Sequence, residues 1–521
     1  MAAVHSSAPA LDDRQPVLVG VGQITQREAD PRAAASPLGL MAQAARAAAQ
    51  DSGVGDALLQ GLDQLTVIRL FSDTSPRFVC PFGRYANPPL TLARQLGASQ
   101  VRQHVYTHPG GNMPQYCLNR LGEAITRGEL DSALVVGAEA LATQKAAQRA
   151  NIALDWSDDP GGSFDAWGVA RRGWSDVEDR HGARAAITMY PMFDNAIRGA
   201  LGRSIAEHQH AMGELLARFA AVAAANPLAD RRGGYSAEQI ATAGPGNPTI
   251  AWPYTRLMSA NAFIDQGAAV IMTSVARAKA LGIAPERWVY LHGCADAHDH
   301  WHVTERRDYH SSPGMAAVFA QAFEMAGKSL SDVAAFDIYS CFASAVHVAC
   351  QALGLPQDDA RGLTVTGGLP YFGGPGNNYV THSIAEMVQR VRATQGRLGL
   401  VTANGNYLTK HSAGLYSTDA PTKPFAPQDP AILQARLDSS VPKPPFAELA
   451  EGSAQIETYT VSHDGKGPSN GVVIGRLDDG TRFIANTPAD AALWAEMETV
   501  DFLGRRGRVA HDGTRNTFTP G

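Results

Sequence analysis

Two textures alternate along the first part of the chain. Residues 15–22 (QPVLVGVG) form a short, continuous apolar run ending on glycines, the pattern of a buried strand. Residues 37–51 (PLGLMAQAARAAAQD) place apolar side chains at helical spacing and use strong helix formers, which predicts a helix. A β-rich run follows at 65–70 (LTVIRL), then an amphipathic stretch at 114–126 and a second buried run at 132–137 (SALVVG). Strands alternating with helices predict an α/β core with parallel strands.

The alternation breaks at about 141. Clean strand patterns are missing up to about 245, loops such as WSDDPGG appear, and an Ala-rich helical region spans about 206–226. This predicts a helical, loop-rich insertion over 141–257. Core alternation resumes from about 258 in NAFIDQGAAVIMTSVARAKALG and WVYLHG. From there the first pattern repeats. WVYLHG parallels VLVGVG, 314–326 parallels the first helix, 336–340 parallels the third element, and GGPGNN at 373–378 stands where GGN stands earlier. Val401 follows Val135 by 266 residues and Gly373 follows Gly110 by 263, so the offset is nearly constant. The reading is a duplicated βα core, its halves at 15–140 and 258–420.

Beyond Pro424 the texture changes again. FAPQDPA and VPKPPF read as a proline-rich linker. Short alternating β segments follow, with DDG between two of them as a hairpin signal. Residues 445–521 therefore predict a small all-β domain of barrel type.

Composition narrows the function. A chain of 521 residues exceeds a single typical domain, and its formal charge of −6 excludes a generally basic, phosphate-neutralising surface. Arg505, Arg506 and Arg508 stand beside several acids, so nucleic acid is not an expected ligand of the barrel. The five cysteines form no C-x-x-C pair and no disulfide framework, and no apolar run reaches membrane-spanning length. The amino terminus has no basic segment followed by a long apolar one. A cytoplasmic protein is expected. Dinucleotide, phosphate-loop and Gly-x-Ser-x-Gly signatures are all missing.

Three clusters carry candidate chemistry. His108-Pro-Gly-Gly-Asn-Met-Pro-Gln115 precedes a helix, so Gly111 and Asn112 offer backbone N–H groups to a thioester oxygen or an oxyanion. Asp337-Ile-Tyr-Ser-Cys-Phe342 ends a predicted strand, where side chains commonly face a ligand crevice. It supplies Tyr339 and the candidate nucleophile Cys341. The third cluster joins GGPGNNYVTH at 373–382 to TANGNYLTKH at 402–411, with His382 and His411 as candidate bases and Gly374, Asn404 and Gly405 in the turns. His298, His300 and His302 share one face of an extended segment. They read as a solvated loop, and no metal is assigned.

These pieces, taken together and in order, resemble the thiolase superfamily. PVLVGVGQITQRE resembles its opening strand, LDSALVVGAEAL the strand closing the first half, and NAFIDQGAAVIMTSVARAKALG the start of the second. The resemblance covers about 15–420 and implies a five-layer αβαβα core with duplicated βαβαβ halves. The family's catalytic residues are replaced here. The acyl-accepting cysteine falls at Gly111, the next motif's Asn or His at Tyr339, the Gly-His-Pro histidine near Gly374, and the late Cys-x-Gly at Asn404-Gly405. Glycine cannot form an acyl-enzyme. The pattern is most similar to thiolase-like proteins of type one, which carry an extra carboxyl-terminal barrel-type domain.

The resemblance implies coenzyme A thioesters as substrates, no tightly bound cofactor, and a monomer or homodimer. The leading expectation is acetyl-CoA acetyltransferase-like chemistry: acyl transfer with carbon–carbon bond formation or cleavage, Cys341 as acyl acceptor and His382 or His411 as base. Thiolase-like aldolases with a tyrosine at the Tyr339 position suggest an alternative, a retro-aldol lyase acting on β-hydroxyacyl-CoA. A non-catalytic coenzyme A binder is the third reading.

Overall fold

The computed structural model of the chain describes residues 12–74 and 76–521; residues 1–11, part of the stretch read as leaderless, lie outside the described residues. In the first half lie β1 (Pro16–Thr25), β2 (Gln64–Val67), β3 (Gln103–Tyr106) and β4 (Ser132–Ala140). The insertion adds β5 (Thr249–Trp252) and β6 (Tyr254–Thr255), and the core resumes with β7 (Asp265–Ser274) and β8 (Val289–His298). Then follow β9 (Val333–Asp337), β10 (Leu398–Gly405) and β11 (Lys410–Ser417). The tail holds β12 (Gly452–Asp464), β13 (Gly467–Leu477), β14 (Arg482–Asn486), β15 (Arg506–His511) and β16 (Asn516–Pro520).

The core strands are ordered β3-β2-β4-β7-β1-β8-β11-β10-β9. The strands of the two halves pair through β1 and β8, Val17 with Tyr290 and Leu18 with Val289. Reading outward from that seam, β1, β7, β4, β2 and β3 are mirrored by β8, β11, β10 and β9. The second half is one strand short. Where β3 stands in the first half, a coil runs past β9, and Ile338 N–H donates to Leu363 O at 2.9 Å.

The helices Met113–Thr126 and Tyr379–Ala393 are largely buried and pack against strands of both halves. The helices Pro37–Asp51 and Pro313–Ala326 cover the outer faces. This makes the five layers. The duplication reaches single atoms: a side chain at Gly20 would strike Ala48 O, and one at Gly293 would strike Ala322 O. Each opening strand lies so close to its outer helix that only glycine fits.

The tail closes on itself in the order β12-β13-β14-β16-β15 and back to β12, a small barrel of OB type. The DDG turn joins β13 to β14, with Gly480 at φ 87°. Three readings need correction. The core is mixed and not parallel throughout: β7 and β11 run antiparallel to their neighbours, and β1 is antiparallel to β8. The proline-rich linker contains a helix, Pro430–Ser440, which packs on β8. The tail is not purely β: a helix, Ala491–Thr499, connects β14 to β15. Proline at a helix start and alternating apolar residues hid both helices.

The barrel is built into the rest of the molecule. β5, from the insertion, pairs with β12, and Trp252 stacks on Tyr459 at 5.2 Å. Arg482 is fully buried, paired with Glu457 and bonded to the carbonyls of Thr304, Arg306 and Arg307. Among the described residues no helix is long and apolar enough to cross a membrane.

Candidate functional site

The site lies where three segments converge: the turn before the Met113–Thr126 helix, the residues after β9, and the β10–β11 hairpin. Gly111 sits against Tyr339. A Cβ there would collide with Tyr339 Oη and come within 2.6 Å of Asn404 O. The phenol oxygen thus occupies the space a side chain at 111 would need. Tyr339 is held by its own N–H, which donates to Thr402 Oγ1 at 3.0 Å, and by edge-on contact with Tyr379 at 5.7 Å. Among the described residues its hydroxyl has no hydrogen-bond partner, and burial holds its proton well above the ordinary phenol range.

The turn presents donors. Gly110 N–H is tied to Asn377 Oδ1 at 2.9 Å, but the N–H groups of Gly111 and Asn112 have no acceptor among the described residues. They stand at the start of a helix whose N-cap, Asn112, makes no side-chain cap. Asn112 Nδ2 reaches Ser412 Oγ at 3.4 Å, while Asn112 Oδ1 and Asn404 Oδ1 are buried without a donor. Gly405 leaves room beside them: a Cβ there would lie 2.8 Å from Asn112 Oδ1 and 3.1 Å from Gly111 N.

The hairpin that carries Asn404 and Gly405 is unusual. Asn406, Tyr407 and Leu408 are all left-handed, with φ of 51°, 57° and 61°. Such runs are costly for residues with a Cβ and persist only when surroundings impose them. Here Tyr190 Oη accepts from Leu408 N–H at 3.3 Å, and Arg306 donates to Leu408 O at 2.7 Å. Tyr190, from the inserted helix Ala186–Ala200, also accepts from Asn404 Nδ2 at 3.1 Å.

The sequence-derived residues divide accordingly. Gly111, Asn112, Tyr339, Cys341, Asn404 and Gly405 are brought together. Cys341 is enclosed, and burial pushes its thiol up to about 12, the opposite of what an activated nucleophile requires. His382 sits elsewhere. His382 Nδ1 meets Gln23 Oε1 at 2.9 Å between the halves, and burial drives its pKa down to about 3. Gly374 N–H donates to Asn261 O at 2.8 Å. His411 is turned away too, its Nε2 2.9 Å from Asp299 Oδ2 beside Arg306 and Ser312. Side chains alternate along a strand, so if His411 faces Asp299, its neighbour Lys410 faces the turn. Lys410 Nζ donates to Pro109 O and lies 2.5 Å from the Cβ position of Gly110; its pKa is lowered to about 8 by burial.

Lys410 and Tyr190 were missed. Period-two alternation flags Lys410 once β11 is known, whereas Tyr190 comes from an insertion with no local signal. The three histidines of the loop separate: His298 bonds Asp299 O, His300 bonds Val441 O, and His302 pairs with Glu305.

This architecture, two mirrored α/β halves around two buried helices with catalytic-face turns at their junction, is the thiolase fold. Solved structures show it at low identity. An acetyl-CoA acetyltransferase of Syntrophomonas wolfei is 16% identical over 78% of this chain and 99% of its own, at TM-score 0.54. The Ltp2-ChsH2(DUF35) aldolase is 18% identical over 77% and 97%, at TM-score 0.57. A monomeric SCP2-thiolase-like protein type 1 from Mycobacterium smegmatis is 37% identical over 98% of this chain and all of its own, at TM-score 0.84. The chain belongs to the thiolase-like protein type 1 family. Residues 433–514 match the family model described as the thiolase-like protein type 1 additional C-terminal domain. No curated protein sequence matches the chain.

Proposed function

We propose that the chain binds acyl-coenzyme A thioesters and makes or breaks the Cα–Cβ bond of a β-hydroxyacyl group without an acyl-enzyme. The observation that carries this reading is the Tyr339 hydroxyl seated against Gly111. The family resemblance places the thiolase nucleophile at that position, and here a phenol fills the space. Acyl transfer through Cys341 would need a thiolate, which burial opposes.

The remaining groups support the same chemistry. The free N–H groups of Gly111 and Asn112 suit a thioester oxygen as it gains enolate charge. Asn112 Oδ1 lacks a donor, and a β-hydroxyl supplies one; an unmet buried acceptor costs about 1–3 kcal/mol. Burial keeps the proton on Tyr339, so in bond formation the phenol gives it to the aldehyde oxygen as Cα attacks. In cleavage the β-hydroxyl proton passes to the phenol oxygen as the phenol's own proton moves on to solvent, the Cα–Cβ electron pair moves toward the thioester carbonyl, and solvent returns a proton to Cα, so Tyr339 begins and ends neutral. The scheme calls on no resident cofactor. The fold-level likeness to a structure titled as an aldolase agrees with it.

Aldehyde release from β-hydroxyacyl-CoA tests the proposal. Tyr339→Phe is expected to lower kcat by about 10²-fold or more with little change in KM, the range for a lost acid–base group. Unchanged turnover in that variant would overturn it. We also read the chain as a monomer. The outer edge of β3 is occupied by its own residues 165–167: Asp165 N–H donates to His104 O, and Tyr106 N–H donates to Asp165 O. The five cysteines are all free thiols, which fits the cytoplasm.

A further inference from the structure

We propose that Lys410, with His108 and Arg69, forms an anion subsite that receives a carboxylate carried on the acyl group, so that the preferred thioesters are short and acid-bearing. This rests on the acyl-CoA reading above and names its substrate class.

Lys410 is 6% exposed and has no carboxylate partner among the described residues. Its Nζ has one protein acceptor, Pro109 O, and lies 6.0 Å from the Trp301 ring centre. A buried ammonium left without a counter-charge is expensive, and a ligand anion is the simplest compensation. Two more cationic or protonatable groups crowd the same turn. His108, whose N–H donates to Trp167 O at 2.7 Å, has its pKa lowered by burial and by the charges of Arg69 and Lys410. Arg69 Nε donates to Thr107 O at 2.5 Å, and its guanidinium lies over Tyr106 at 4.3 Å. Among the described residues neither is in an ion pair.

The neighbouring acids are already engaged. Asp73 bonds Tyr106 Oη at 2.8 Å and Arg84 at 2.9 Å. Asp299, on the other face of β11, is taken by His411 and Arg306. The subsite adjoins the enolate donors. The side-chain direction of Gly110 meets both Lys410 Nζ and Asn112 Oδ1, whereas that of Gly111 meets Tyr339, so an anion at Lys410 lies beside the acyl group. That short reach favours a carboxylate on the acyl group over the phosphates of coenzyme A, which stand a full pantetheine arm from the sulfur.

Calorimetric titration of the full chain with succinyl-CoA, butyryl-CoA and free CoA tests this. The wild type is expected to bind succinyl-CoA at least tenfold more tightly than butyryl-CoA. Lys410→Met should abolish that preference, and Lys410→Arg should retain part of it. Equal affinities in the wild type, or a preference untouched by Lys410→Met, overturn the subsite. Equal weakening of all three ligands also overturns it and assigns the charge to the CoA phosphates. Thermal shifts with succinamate and with uncharged butyramide at fixed ionic strength separate the two readings. A succinamate-specific rise in Tm that Lys410→Met removes supports the subsite even if no thioester binds, and its absence in that case overturns it.

Discussion

The Gly111–Tyr339 pair behaves as one unit. A side chain at 111 and a phenol at 339 cannot both occupy their shared space, so replacing either one changes what the other position tolerates. Gly111→Ala is expected to destabilise the protein by about 1–3 kcal/mol through overpacking, and Tyr339→Leu in the same chain should recover part of that loss. Urea unfolding of the two single variants and the double variant measures the coupling; strict additivity would deny the contact. A second buried group titrates where most assays are run. Glu139 accepts from Phe71 N–H at 2.7 Å, and burial raises its pKa to about 8. A carboxyl raised above its unfolded value is neutral in both states below about 4.5, then increasingly favours unfolding as pH climbs to about 8. Glu139→Gln keeps the acceptor and removes the ionisation. Its stability relative to the wild type should therefore rise between pH 5 and pH 8, and a difference independent of pH would contradict the assignment.

At the level of elements, the β10–β11 hairpin decides which side chains meet the site. Three consecutive left-handed residues set the register in which Gly405 pairs with Lys410 and Asn404 with His411. A hairpin one residue longer or shorter would exchange the faces of Lys410 and His411. The strain is imposed by Tyr190 and Arg306, which hold the turn from two other elements. Asn406→Gly should therefore be neutral or stabilise by up to about 1 kcal/mol, because glycine adopts this region without penalty. Thermal denaturation reads the change, and a marked loss of Tm would mean that the Asn406 side chain matters more than its backbone. The sequence placed glycines and asparagines here but had no means of counting the residues of the turn. It therefore favoured His411, a residue type suited to proton transfer, over its neighbour.

On the scale of the molecule, the barrel and the insertion form one body with the thiolase core. Arg482 ties the barrel to the segment after β8, with Glu457 as its counter-ion and backbone carbonyls as its other partners. Arg482→Ala leaves those buried carbonyls without their donor and Glu457 with Arg476 alone, at an expected cost of about 1–3 kcal/mol for each unmet acceptor. Hydrogen exchange should then quicken in β12–β14 before the core strands respond; uniform exchange across the chain would argue that the barrel is not a separable unit of stability. Hydrophobic periodicity was enough to predict an α/β core and a β-rich tail, because strand and helix periods are local properties of the chain; that β7 joins the first half's strands was set by tertiary pairing. Glycine placement also marked the turn at 110–111, since the need for close approach is written in residue type. The sequence could not give the pairing of β5 with β12, the intrusion of Tyr190 or the side of β11 that faces the site. Those depend on distances between residues hundreds of positions apart, and only the packed tertiary structure sets them.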